Sequence, residues 1–185
     1  STWMGVEGAL YALVDRPGFM HQLVDRMTAG YLGMLDQLEE QGLLCGPQSL
    51  IHCTGAYSDE LPAPGYDSER PRTKDIWMFG LAQMLATVSP DMFREFEVDY
   101  ASRICERFGL VYYGCCEPLD TRWHVVAQFP RLRRVSVSPW ADRRAMAAAN
   151  ALAHGLGRHA VLHKLDEQRL GEGQSSGEYS AGCWR

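Results

Sequence analysis

Two adjacent thiols and a carboxylate, Cys115-Cys116-Glu117, follow an apolar run and precede Pro118, and no other part of the chain is as well equipped for chemistry. The run Leu110-Val111-Tyr112-Tyr113 has the β-branched and aromatic character of a buried strand, and Pro118 has no N–H to continue a ladder. Reactive groups collect where strands end, because the scaffold holds them while the following loop is free to vary. Neighbouring residues on a strand point to opposite faces, so Cys115 and Cys116 are expected to divide the work, one packing and the other facing a pocket. A thiol acts as nucleophile or metal ligand in its thiolate form, which calls for an imidazole or a metal nearby. His52 closes a second short strand expected over residues 49–53 and is the best-placed imidazole. His52, Cys115, Cys116 and Glu117 together supply the N, S and O donors that zinc takes in fourfold coordination. The structural alternative is two cysteines acting as small core residues and one hydrogen-bonded histidine.

The remaining candidates are carboxylates, aromatics and one arginine. Asp59 and Glu60 are adjacent in a loop; held in a pocket they would suit proton transfer, and on the surface they would be solvated. Together with Cys116 and Glu117 they form the catalytic set expected from sequence. Asp75 and Trp77 suit a cavity wall for a flat ligand, or simple core, and Tyr57 and Tyr113 join them as candidate substrate contacts. Arg133, at the start of a strand, is a candidate clamp for an acidic substrate, or an exposed solubilising residue.

The elements that must position these groups alternate. Met20, Leu23, Val24, Met27, Tyr31, Met34, Leu35 and Leu38 recur at three- and four-residue steps and predict a helix over 17–41 that Gly42 stops. Residues 54–73, rich in Gly, Pro, Asp and Tyr, read as a long functional loop. An apolar strand and its exit are expected over 75–85. Ser89 then caps a helix whose stripe is Phe93, Phe96, Tyr100, Ile104 and Phe108, and Gly109 ends it. A strand over 110–116, a helical turn over 121–128, a strand over 133–138, a helix over 142–154 and a last strand over 159–164 follow. Such alternation predicts an α/β fold with parallel strands. Beyond residue 166 Gly, Ser, Glu and Gln erase the pattern, so 166–185 is expected to be a disordered or spurious tail behind a 1–165 domain.

With 185 residues and 46% hydrophobic content the chain can bury a real core. Its net charge of −5 argues against a nucleic-acid surface, no apolar run reaches membrane-spanning length, and its first residues lack the charged start and apolar block expected of a secretory leader. Six cysteines without framework spacing favour reduced thiols and a cytoplasmic protein. The opening at Ser1, without methionine, reads as a processed, trimmed or fragmentary sequence.

Several ordered motifs carry a family likeness. Tyr57-Ser58-Asp59-Glu60-Leu61-Pro62, Asp75-Ile76-Trp77-Met78-Phe79-Gly80, Ser89-Pro90-Asp91-Met92-Phe93, Glu106-Arg107-Phe108-Gly109-Leu110, Tyr113-Gly114-Cys115-Cys116-Glu117-Pro118 and Leu132-Arg133-Arg134-Val135-Ser136-Val137-Ser138-Pro139-Trp140-Ala141-Asp142 together resemble the uroporphyrinogen decarboxylase (URO-D) superfamily. The closer likeness is to its branch similar to corrinoid-linked methyltransferases. The resemblance implies a (β/α)8 TIM barrel, of which this chain would be a partial, C-terminal piece, with the site at the strand C-terminal ends. It implies methyl transfer between a corrinoid carrier and a thiol-type acceptor, with zinc held by a His-X-Cys pair and a later cysteine. Here the His-X-Cys element reads Tyr113-Gly114-Cys115, so the resemblance places Cys115 as ligand and leaves His52, Cys116 and Glu117 to complete the shell. The alternatives are a cofactor-free uroporphyrinogen decarboxylase of porphyrin biosynthesis and a non-catalytic barrel fragment. The expected partners are a small molecule or a corrinoid protein, with no nucleic acid and no membrane, and the fold allows a homo-oligomer.

Overall fold

A computed structural model describes residues 4–52, 54–155 and 161–164. Its centre is β4 (Leu110–Tyr113), whose four residues are all buried. Alternation sends Val111 and Tyr113 to one face and Leu110 and Tyr112 to the other, and each pair enters a different apolar cluster. A strand covered on both faces belongs inside a parallel sheet. β3 (Trp77–Gly80), β4, β5 (Leu132–Val137) and β6 (Val161–Lys164) form such a sheet in that order, all parallel. The sequence-based expectation of parallel α/β neighbours is met at this level, and the last strand lies within its expected span where it is described.

Helices cover the Val111/Tyr113 face. After β3, Ser89 accepts a hydrogen bond from the Met92 amide (3.2 Å) and Pro90 occupies the first turn of α3 (Pro90–Phe93). The helix widens into a π-helical stretch over Arg94–Val98 before continuing as α4 (Asp99–Cys105), an irregularity the smooth 93–108 stripe does not announce. Phe93, Phe96, Trp123, Val126, Phe129 and Met146 pack with Val111, Tyr113 and Val135. α5 (Trp123–Val126) and α6 (Arg143–Gly155) make the next two crossovers, and the Asp142 carboxylate accepts the Arg144 and Ala145 amides at 2.9 and 3.0 Å.

Two helices precede the sheet. α1 (Gly5–Asp15) was not expected from the sequence; α2 (Pro17–Glu40) matches its predicted span. α2 lies along the α3–α4 helix. Leu35 joins Ile76 and Phe108, while Asp25–Arg103 (2.5 Å), Asp36–Arg107 (2.7 Å) and His21–Glu95 (2.8 Å) bridge the exposed rim. Exposed ion pairs of this kind each contribute roughly 0–1 kcal/mol, so the apolar seam does most of the holding. Among the described residues no helix is long and apolar enough to cross a membrane. The tail expected over 166–185 lies outside the described residues.

The other face of the sheet carries the largest departure from expectation. Residues 49–53 were expected to form one strand and 54–73 a loop. Instead β1 (Leu50–Ile51) and β2 (Thr54–Gly55) pair antiparallel as a hairpin, with Leu50 opposite Gly55. His52 sits at its tip with φ 49°, a left-handed conformation that reverses the chain. Ile51 and Ala56 of this segment pack on Trp77, Leu110 and Tyr112. The Trp77 indole N–H donates to the Ala56 carbonyl at 3.0 Å.

Gly109 lets the chain enter β4, since a Cβ there would stand 2.3 Å from the Lys74 carbonyl oxygen and 2.4 Å from Leu61 Cδ2. Gly109→Ala is therefore expected to destabilise the chain by about 1–3 kcal/mol through overpacking against backbone, read from the midpoint of denaturant unfolding. A midpoint equal to the parent's would show that this entry can relax.

A second expectation concerns Glu97, whose carboxylate accepts the Tyr113 hydroxyl at 2.8 Å. Burial pushes its pKa up to about 7, against the pull of the Tyr113 hydrogen bond and with a further push from Glu117. Between the ordinary glutamate range and about pH 7 the folded chain holds a proton that the unfolded chain has lost, so stability falls as pH rises through that window. Glu97→Gln should flatten this part of the stability curve measured between about pH 5 and pH 8. An unchanged slope would remove Glu97 as its source.

Candidate functional site

The sheet exits bring four of the sequence candidates together. β4 ends at Tyr113, and Gly114 takes φ 91° where a Cβ would meet Leu119 Cδ1 at 2.7 Å, so a glycine is required for the turn. The turn ends strand alternation before the cysteines are reached. Cys115 and Cys116 therefore do not point to opposite faces, as expected, but converge with their sulfurs 3.4 Å apart. Cys115 is buried and Cys116 partly exposed.

His52 reaches the same place from the hairpin tip. Its Nε2 stands 2.8 Å from Cys115 Sγ, a contact between residues 63 positions apart. The imidazole stacks on Phe79, with ring centroids 4.6 Å apart and 23° between planes, and Phe79 in turn leans on Tyr112. Phe79 was missed as a site residue from sequence. Its signal was its spacing of two from Trp77, which places both on the face the hairpin covers.

Glu117 is buried, and its carboxylate spans two strand exits: Oε2 accepts the Cys115 amide at 3.0 Å and Oε1 the Ala82 amide at 3.2 Å. It thus fixes the loop after β3 to the loop after β4. Arg122, also missed, is buried nearby and donates to the carbonyls of Leu85 and Ala86 at 2.7 Å and of Val88 at 3.2 Å, with its guanidinium 5.0 Å from the Phe93 ring centroid. Burial lowers its pKa, while Tyr113 and Glu117 counter that pull.

The electrostatics favour the neutral forms of Cys115 and His52. Burial, then the hydrogen bond and charge of Cys116, then Glu117 push the Cys115 thiol up to about 12. Burial lowers the His52 pKa, with Glu117 acting in the opposite sense. The pair is thus a thiol donating to a neutral imidazole, with the Cys116 sulfur 3.4 Å from that of Cys115, rather than a thiolate–imidazolium pair.

Zinc fits this cluster by donor type but not by geometry. Around tetrahedral zinc, the bond lengths set N···S and S···S separations of about 3.5 and about 3.8 Å. The cluster is tighter than that at both edges, 2.8 and 3.4 Å, and Glu117 is turned to backbone amides. Among the described residues no three His, Cys, Asp or Glu side chains are disposed to hold a metal ion.

The remaining candidates lie elsewhere. Tyr57 and Asp59 line an open cavity of about 590 Å³ with Gln48, Leu61 and Trp77, the first residue of β3, at the end of that strand remote from the thiols. Glu60 accepts Arg133 Nε at 2.8 Å, near the start of β5. Of the two groups expected to share the thiol site, His52 or the 57–60 loop, the structure brings His52 and not the loop; the hairpin turns the chain back along the sheet and carries the loop to its opposite end. Asp75 is fully buried in a two-pronged pair with Arg72 (2.8 and 2.9 Å), and Tyr113 is fully buried between Phe129 and Glu97. Both are structural in these positions, with no surface to offer a substrate.

The geometry sets an order of reactivity. In the reduced native chain a small alkylating reagent should modify Cys116 well before Cys115, because Cys115 is 4% exposed and held protonated. Peptide mass mapping over time checks this, and faster labelling of Cys115 would show a thiolate there. Compared with known proteins, the chain matches no family model, no curated protein and no solved structure.

Proposed function

We propose that the chain is the C-terminal part of a (β/α)8 enzyme resembling the methyltransferase branch of the URO-D superfamily, moving a methyl group between a corrinoid carrier and a thiol. The observation that carries this reading is the Cys115–His52 pair at 2.8 Å beyond the C-terminal end of a parallel strand. Four consecutive parallel strands with helical crossovers are compatible with a barrel segment. When bound, a methylcorrinoid would supply an electrophilic methyl group; Cys115 would offer its Sγ to that group, and His52 Nε2, 2.8 Å away, would take the thiol proton. A neutral imidazole is suited to take that proton. Glu117 holds the Cys115 amide and so the direction of the thiol, while Phe79 holds the plane of the imidazole.

Tetrapyrrole decarboxylation is the weaker reading. Its Arg/Asp constellation would have to come from residues not present here, and the β5 arginines are engaged, Arg133 with Glu60 and Arg134 with the Gly55 carbonyl.

Incubating the reduced chain with methylcobalamin should add one methyl group at Cys115 rather than at the more exposed Cys116 that a free reagent labels first, because a bound donor would be aligned with the Cys115–His52 pair. Cys115→Ser should abolish the gain, and His52→Gln should slow it on the order of 100-fold. No methyl gain in the parent would sink the reading. Stoichiometric zinc in the parent that is lost in Cys115→Ser would replace it with a zinc-centred one.

A further inference from the structure

We propose that Cys115 and Cys116 are a redox modification site, which a hydroperoxide closes into a disulfide between adjacent residues. Three observations carry it. The two sulfurs are already in contact at 3.4 Å, because Gly114 breaks strand alternation immediately before them. Cys116 is partly exposed and Cys115 is buried behind it, which gives an entry thiol and a resolving thiol. His52 Nε2 lies against Cys115 Sγ to receive its proton.

The chemistry balances with the peroxide as oxidant. Cys116 Sγ attacks a peroxide oxygen; the sulfur–oxygen bond forms, the oxygen–oxygen bond breaks, and one water leaves with the thiol proton. Cys115 Sγ then attacks Cys116 Sγ and displaces hydroxide, which takes the Cys115 proton by way of His52 and departs as a second water. Two thiols lose two electrons and one hydrogen peroxide is reduced.

The surroundings favour this product over a standing thiolate. A disulfide carries no charge, so neither burial nor the Glu117 carboxylate opposes it, whereas both oppose a Cys115 anion. Adjacent residues hold their Cα atoms about 3.8 Å apart, below the ~4.4–6.8 Å usual for disulfides, so the ring is strained and easily reduced. Strained disulfides belong to the labile, regulatory class rather than the structural one. Buried Cys105, whose thiol burial pushes up to about 12, sits in the helical core of the other sheet face without such an arrangement.

Ring closure rests on this geometry alone. Its consequence, that oxidation withdraws Cys115 from methyl transfer, rests on the function proposed above. The full reduced chain, treated with a slight excess of hydrogen peroxide without any methyl donor and then alkylated, should yield a peptide containing Cys115 and Cys116 that has lost two hydrogens and takes up no alkyl group. Dithiothreitol should restore both thiols. Cys116→Ser should not form the product, and His52→Gln should form it on the order of 100-fold more slowly while unfolding at the parent's midpoint. Full alkylation of both cysteines after peroxide, or linkage of either one to Cys45, Cys53, Cys105 or Cys183 instead, overturns the proposal. Closure of the ring in a chain that accepts no methyl group would retain the redox site and discard only the methyl-transfer reading.

Discussion

Burial of β4 on both faces is the constraint from which the rest of the architecture follows. A strand reading Leu-Val-Tyr-Tyr has no face to offer water, so one side must be roofed by helices and the other by something else. The α3–α4 and α5 crossovers supply the first roof. The 50–55 hairpin supplies the second, placing Ile51 and Ala56 over Trp77, Leu110 and Tyr112. At about 25 cal/mol per Å² of apolar area, covering an aromatic wall of this kind is worth far more than the few ladder bonds of a two-residue hairpin. The packing demand that holds the hairpin down also carries His52 to the end of β4. The site is a by-product of covering the sheet.

Glu117 turns that proximity into a defined arrangement. A buried carboxylate is costly unless its oxygens are satisfied, and here each accepts a backbone amide from a different strand exit. The loops after β3 and β4 are thereby linked at the place where parallel strands leave reactive groups. The negative charge also shapes the chemistry, opposing ionisation of Cys115 and adding to the pressure on Glu97. Arg122, spread over three carbonyls and the Phe93 ring, is the buried cation on the same side of the sheet. The result is a buried Cys115 thiol held protonated against a neutral imidazole.

Elements were legible where their signal is local. The period of 3.6 in α2, the Ser89 cap, the Asp142 cap and the β-branched cores of β4 and β5 each arise within a few residues, and each appears within a residue or two of its expected bounds except the end of β4, which the Gly114 turn brings three residues earlier. The 50–55 segment defeated the same approach, because two residues of pairing on each side of His52 leave no period to read, and a left-handed histidine is not a sequence signal. The π-helical widening before α4 is likewise invisible in a stripe of aromatics, which tolerates one extra residue per turn.

By itself the sequence determined the alternation of strand and helix, the parallel order that goes with it, and the place of Cys115-Cys116-Glu117 at a strand exit, because composition and spacing act over a few residues. Only the tertiary structure decided that both thiols share one side, that His52 joins them while Asp59 and Glu60 do not, and that Asp75 and Tyr113 are structural. Those outcomes depend on a glycine turn that cancels strand alternation and on a hairpin folding across a distant face. Contacts between residues 63 positions apart are set by which apolar surfaces must be covered, and that is a property of the whole packed chain.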